Sequence, residues 1–262
     1  LDIGTGKIFN SPDIPYHMID IIEPGTVLTT SEFVVSSRII IDDVKKRGRL
    51  PIICGGSSHL MERLIEGIES GPDPSPFLRR FLKYEEARKG EGYLHSILGR
   101  LDLSLAAKVH PNDTHRTLRY IESVLSRSDN EGIPPLAGQN LVFFIDGSIT
   151  SLRKRIEKRC DLMLEKGWIN EVRSLKKRGF NKTIAGCDSI GYPHIFDLLD
   201  GNVTMEKCRE MIIGDTVVYA RKQRRWKKRF KGAVEMDMDY LRLDAVNSII
   251  RENTAKIDEA SP

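Results

Sequence analysis

Residues 50–58 read Leu50-Pro51-Ile52-Ile53-Cys54-Gly55-Gly56-Ser57-Ser58, an apolar run that stops at two glycines and two hydroxyls. A run apolar at every position, rather than at alternate ones, predicts a strand buried on both faces, as in a parallel sheet. Gly55-Gly56-Ser57 then turns the chain into a helix over about 59–66. Upstream, Tyr16 to Ile22 (YHMIDII) is a second strand candidate, closed by Pro24-Gly25. Between the two, Thr29 and Glu32 stand three apart as in a capping box, which predicts a helix from Ser31 to Arg47 ending at Gly48. Strand, helix, strand, glycine turn, helix is the order of a βαβ unit. The fold class expected is therefore α/β, with a parallel-sheet core.

Downstream the texture changes at Gly71-Pro72-Asp73-Pro74-Ser75-Pro76, whose three prolines suit a boundary. From there to about Arg127 the periodicity is helical, with Leu78, Phe81 and Leu82 on one face and Leu94, Ile97 and Leu101 on another. A Pro/Gly-rich loop spans Asn130 to Asn140. Leu141 to Ile145 (LVFFI) again reads as a buried strand, ending at Asp146-Gly147. Leu152, Ile156, Met163 and Leu164 form a helical stripe, continued past Gly167 by Trp168, Ile169, Val172 and Leu175. A last helix is expected from Met205 to Phe230. The organisation expected is an α/β core (1–71), a helical insertion (72–140), and the resumed core with a basic C-terminal helix (141–262).

The bulk numbers bound the class. A chain of 262 residues that is 40% hydrophobic and 30% charged is ordinary for a globular protein and excludes a collagen-like rod or a disordered tail. Its net charge of +4, from 41 basic and 37 acidic residues, is no argument for nucleic-acid binding by itself. Cys54, Cys160, Cys187 and Cys208 stand far apart without a Cys-x-x-Cys pair, which disfavours a zinc ribbon and points to reduced thiols. No apolar run reaches membrane-spanning length and no basic-then-apolar leader opens the chain, so a cytoplasmic location is expected.

Five places carry chemistry. Gly4-Thr5-Gly6-Lys7 looks at first like a phosphate loop, but Ile8 stands where the Ser or Thr that holds Mg²⁺ belongs, and a simple turn fits better. Gly55-Gly56-Ser57 lies at the carboxyl end of a predicted strand, where open α/β sheets bind ligands; a plain tight turn is the alternative. In His110-Pro111-Asn112-Asp113, Asp113 is a natural helix cap, and it sets His115, Arg116 and Arg119 on a helix where they can grip phosphates or stack on bases, or simply pair with Glu122. Arg221 to Lys231 reads RKQRRWKKRFK, with eight of eleven places Lys or Arg. Ile212, Thr216, Tyr219, Gln223, Trp226 and Phe230 recur at helical spacing and are expected to pack on the core, leaving the cations for a polyanion. Arg153, Arg155, Arg159 and Arg173 flank the stripe after LVFFI and suit a diphosphate clamp or ordinary surface pairing.

Taken in order, LDIGTGK, YHMIDII, Ser31-Glu32-Phe33, GRLPIICGGS, the run from His110 to Glu122, RIEKRCDLMLEKGWINEVRSL, SIGY at 189–192 and YARKQRRW at 219–226 resemble the tRNA dimethylallyltransferase (isopentenyltransferase) family, over about Leu1 to Phe230. The resemblance implies a P-loop NTPase-like core with a helical insertion, and transfer of a dimethylallyl group from dimethylallyl diphosphate to N6 of the adenosine 3′ of the anticodon. It implies tRNA contacts at Ser57, at Arg79, at His115, Arg116, Thr117, Leu118 and Arg119, and at Asp188, Ser189, Ile190, Gly191, Tyr192 and Pro193, although Pro193 departs from the family's usual basic or polar residue. Diphosphate candidates are Arg155, Arg159, Arg173 and Arg221. The implied partners are the tRNA anticodon stem-loop, dimethylallyl diphosphate and Mg²⁺, in a monomer.

The family's phosphate loop and general-base aspartate lie upstream of LDIGT and are not among residues 1–262. The expectation is an N-terminally incomplete chain lacking about forty residues, the length of one βα unit. Its Mg²⁺ ligand would lie outside the chain, and residues 1–262 alone would be inactive. Two other readings remain open: a catalytically dead tRNA-binding module, and a prenyltransferase acting on free adenylate. An extended basic surface argues against the second.

Overall fold

The computed structural model describes residues 1–7, 14–69, 76–125, 132–138, 140–230 and 232–259. The Pro-rich boundary at 71–75 and positions 130, 131 and 139 of the 130–140 loop lie outside these residues. The chain divides into two compact units, one made of Leu1–Ile65 with Leu136–Pro262, the other of Glu66–Pro135.

In the first unit, helix α1 (Thr30–Lys46) opens on the expected capping box. The Glu32 N–H donates to the Thr29 hydroxyl at 3.2 Å, and the Thr29 N–H donates to the Glu32 carboxylate at 2.8 Å. Two otherwise orphaned donors are thereby satisfied. Helix α2 (Ser58–Glu66) follows the Gly-Gly-Ser turn, and the Arg38 guanidinium ties α1 to it by donating to the Leu64 carbonyl at 3.0 Å. The main core lies among α7 (Ile149–Glu165), α8 (Trp168–Lys177), α9 (Tyr192–Leu199) and α10 (Met205–Trp226). Ile156, Trp168, Val172, Ile195 and Ile212 are buried there, and Trp168 meets Tyr192 edge-on with ring centroids 5.6 Å apart. A last helix, α11, covers Leu243–Glu259.

The sheet among the described residues is one parallel pair. Strand β1 (Phe143–Asp146) pairs with β2 (Val234–Asp237), in the register Phe143 to Val234 and Ile145 to Met236. The LVFFI prediction thus falls within two residues of β1, whereas β2, with its sequence VEMD, carries no apolar run to announce it. Two predicted strands do not form. Tyr16–Ile22 has no ladder, and Met18 (φ +60°) and Asp20 (φ +56°) sit in the left-handed region, which breaks an extended chain. Leu50–Cys54 also lacks a ladder, and Leu50, Ile52 and Ile53 are exposed rather than buried on both faces. A uniformly apolar strand is stable only where neighbours on both sides satisfy its backbone groups; among the described residues neither segment has such a neighbour.

The second unit is helical: α3 (Pro76–Lys89), α4 (Tyr93–Leu101), α5 (Leu103–Ala106) and α6 (Thr114–Leu125). Leu82, Leu94, Leu98, Leu118 and Ile121 form its core. Phe81 and Leu101, placed on core faces by the sequence pattern, are exposed instead. No helix of the described residues is long and apolar enough to cross a membrane.

Candidate functional site

In the helical unit the charged groups converge on one buried carboxylate. Glu122 is fully buried on α6, and Arg79 on α3 clasps it with two hydrogen bonds, Nε at 2.6 Å and Nη2 at 2.9 Å. Arg119 approaches the same carboxylate at 3.6 Å. A two-pronged guanidinium–carboxylate pair fixes the planes of both groups, and the Glu122 carboxylate raises the Arg79 pKa further above its ordinary value. Asp113 caps α6 by accepting the Arg116 N–H at 3.1 Å. That cap turns His115 and Arg116 to the surface, while Thr117 and Leu118 point inward and are buried. Of the residues expected to meet RNA here, His115 and Arg116 are exposed, Arg79 and Arg119 are partly exposed and braced by Glu122, and Thr117 and Leu118 form the supporting inner face.

In the α/β unit the Gly55-Gly56-Ser57 turn lies against α10. The Gln223 side-chain amide donates to the Gly56 carbonyl at 2.9 Å, and the Tyr219 hydroxyl lies 3.5 Å from the same oxygen. One helical turn apart, the two share a face of α10. That face meets the glycine turn rather than the apolar core: the buried side of α10 is Cys208, Ile212, Ile213 and Val217, and Tyr219 is exposed. Beyond Gln223, the Arg229 guanidinium donates to the buried Glu62 of α2 at 2.9 Å and stacks on the Trp226 ring at 4.0 Å. Arg224 pairs with Asp146 at 2.9 Å, and Lys227 pairs with Glu235. Arg221, Lys222, Arg225 and Lys228 stay exposed.

The opening turn packs on α8. The Glu171 carboxylate accepts the Ile3 N–H at 2.6 Å and the Tyr192 hydroxyl. Burial and the Glu171 carboxylate both push the Tyr192 pKa far up, so this phenol stays protonated. Trp168 is sandwiched between two glycines: a Cβ on Gly4 or on Gly191 would lie 2.1 Å from its ring atoms. Of the expected 188–193 contacts, Asp188 and Ser189 are exposed, Gly191 and Tyr192 are buried against Trp168, and Pro193 occupies the first turn of α9, where its missing N–H costs nothing. Beside this turn a cavity of about 250 Å³ is lined by Lys7, Arg159, Lys166 and Asp2, among others.

The four diphosphate candidates separate. Arg155 is held by Asp239 at 3.1 Å and by the Met238 carbonyl, and Arg173 bonds Asn170. Arg159 lies over Gly6 at the cavity, and Arg221 is exposed on α10. Among the described residues no group of three or more His, Cys, Asp or Glu side chains could hold a metal ion. The pairings that organise both sites, Arg79 with Glu122 and Gln223 with Gly56, join residues far apart in sequence; the unused signal was a lone neutral amide inside a polycationic run.

The IPP transferase family model matches residues 1–230. The chain is 33% identical over 238 residues to a tRNA dimethylallyltransferase of Koribacter versatilis, covering 87% of this chain and 77% of that one. To the enzyme of the same name from Kosmotoga olearia it is 30% identical, over 98% of this chain and 85% of the other. It superimposes on the crystal structure of the full-length tRNA isopentenylpyrophosphate transferase of Bacillus halodurans with a TM-score of 0.67 at 27% identity, covering 98% and 84% of the two chains. A eukaryotic dimethylallyltransferase acting on tRNA, 19% identical, shares the fold at a TM-score of 0.66. These matches, running through both units in the order read from the sequence, show that the chain belongs to the IPP transferase family.

Proposed function

We propose that this protein transfers a dimethylallyl group from dimethylallyl diphosphate to N6 of the adenosine 3′ of the anticodon in tRNA. The allylic C–O bond breaks, the diphosphate departs with its electron pair, N6 bonds the allylic carbon, and N6 gives up a proton to solvent. The observation that carries the reading is the docking of Gly55-Gly56-Ser57 on α10, which puts a hydroxyl-bearing turn under a helix end that keeps Arg221, Lys222 and Arg225 exposed. A family whose relatives are named for this reaction supplies the chemistry.

In this reading His115, Arg116, Arg79 and Arg119 grip the anticodon stem-loop, with Glu122 holding the latter two in a fixed array and Thr117 and Leu118 supporting them. Asp188, Ser189 and Ile190 form a further RNA contact, whose backbone is set by Gly191, Tyr192 and Pro193. Ser57 contacts the tRNA beside the adenosine to be modified. Arg159 and Arg221 are the cations for the diphosphate; Arg155 and Arg173 are engaged elsewhere. Mg²⁺, which the family resemblance implies, would help to carry the charge of the diphosphate; no cluster of three or more His, Cys, Asp or Glu side chains among the described residues would hold it. We place the protein in the cytoplasm, as a monomer.

The test is transfer of labelled dimethylallyl groups by the full-length protein to a synthetic anticodon stem-loop. Label on the adenosine 3′ of the anticodon, absent when that base is guanosine, is the expected result. Stem-loop binding should weaken by at least tenfold between about 50 and 200 mM salt, as phosphate contacts require. Salt-sensitive binding without transfer would favour the dead binding module, and label on free AMP in preference to the stem-loop would favour the adenylate enzyme.

A further inference from the structure

Gln223 is one of three non-basic residues in the run from Arg221 to Lys231, and its amide spends its donor on the Gly56 carbonyl at 2.9 Å. A Cβ on Gly56 would lie 2.1 Å from the Gln223 nitrogen, so only glycine admits the amide in this position. The Tyr219 hydroxyl stands 3.5 Å from the same oxygen, and the Arg229–Glu62 bond at 2.9 Å anchors the helix that follows the turn. The end of α10 is thus fastened to the turn through Gln223, and the segment just after it to α2 through Arg229.

A trans peptide is planar, and its C=O and N–H point in opposite directions. Fixing the Gly56 carbonyl toward α10 therefore aims the Ser57 N–H away from it. The next link is already helical, since the Met61 N–H donates to the Ser57 carbonyl at 3.1 Å. With its preceding peptide plane held by Gln223 and its own carbonyl held by α2, Ser57 has little backbone freedom left.

We propose that Gln223 is a positioning residue for the transfer step: through Gly56 it orients the Ser57 N–H and hydroxyl toward the adenosine that accepts the group. This rests on the function proposed above. Groups fixed in advance lower a barrier because the acceptor base is held in line with the allylic carbon and nothing must reorganise as they meet. Misplacement of such groups by about 1 Å costs up to roughly 100-fold in rate. A neutral donor is required at this position. The carboxylate of a glutamate has the same shape but would repel the Gly56 oxygen, and a lysine would add one more cation without the planar amide.

The test is steady-state transfer by the full-length protein carrying Gln223→Glu, with Gly56→Ala as the second variant, since a methyl there displaces the same amide from the other side. The expected result is a kcat lowered roughly 10- to 100-fold in both, with KM for the stem-loop and the melting temperature of Gln223→Glu close to wild type. An unchanged kcat in both variants overturns the inference. So does a loss confined to stem-loop affinity, which would make Gln223 an RNA contact, and so does a kcat loss that tracks unfolding. Failure of the proposed function itself is read separately, as absence of transfer by the unaltered protein.

Discussion

Gly191→Ala is expected to be among the most damaging single-methyl changes in this protein. Two costs add at that position. The backbone sits at φ +97°, ψ −40°, a conformation that costs a side-chain-bearing residue about 1–3 kcal/mol. The new methyl would also lie 2.1 Å from the Trp168 ring, and Trp168 is only 2% exposed and packed edge-on against Tyr192. Overpacking of such a site costs about 1–3 kcal/mol more. The sum is about 4 kcal/mol, or roughly 10 °C in melting temperature for a chain of this size. Gly201→Ala separates the two terms, because Gly201 has φ +76° but no atom within 4 Å of the added methyl; it should lose only the conformational part, about 1–2 kcal/mol. Urea denaturation followed by tryptophan fluorescence measures both. If Gly191→Ala costs no more than Gly201→Ala, the claim that Trp168 is wedged against that backbone is wrong. Combining Gly191→Ala with Trp168→Leu should cost less than the sum of the single changes.

Glu122→Gln should destabilise the helical unit by about 2 kcal/mol, since it turns one of the two acceptors of Arg79 into an amide donor facing the guanidinium and removes the buried charge that pairs with it; chemical denaturation and amide exchange in α6 would show it, and a loss below about 0.5 kcal/mol would refute the brace. In the native protein at pH 8, iodoacetamide should alkylate Cys54 first, because Cys54 is exposed while burial pushes the Cys208 thiol up to about 11 and raises Cys160 and Cys187; mass spectrometry of the labelled peptides reports the order. Arg209 holds the Asp161 pKa below the usual carboxylate range. The stability from that pair is therefore fully present above about pH 4 and falls away as the carboxylate protonates at lower pH; Asp161→Asn should lower the neutral plateau of a stability–pH curve and flatten its acid limb by the same small amount, since both groups are partly exposed.

What the sequence made legible was local. Thr29 and Glu32 announce the start of α1, and Asp113 that of α6, because caps are written within a few residues. The apolar stripes of α7 and α8 were readable from a period of 3.6. Strands were less so. LVFFI reads correctly as β1, yet YHMIDII and LPIIC carry the same signal and form no ladder, because a strand depends on partners that its own residues do not specify. The site divides along the same line. The basic run on α10 and the Gly-Gly-Ser turn stand out singly, but nothing in either segment says that Gln223 reaches Gly56, or that Arg79 reaches Glu122 across 43 residues.

The pairing of β1 with β2 also sets an order of assembly. Phe143 and Val234 are 91 residues apart, being 234 minus 143. Closing a flexible loop of that length costs about 4 kcal/mol in chain entropy, against a ladder only four residues long. The helices α7 to α10 lie inside that loop, and α10 packs back on α7 as well as on α9, so their packing brings the strand ends together and removes most of that cost before the ladder forms. The sheet is thus the last part to close, and its amides should be the last to gain protection when the protein refolds.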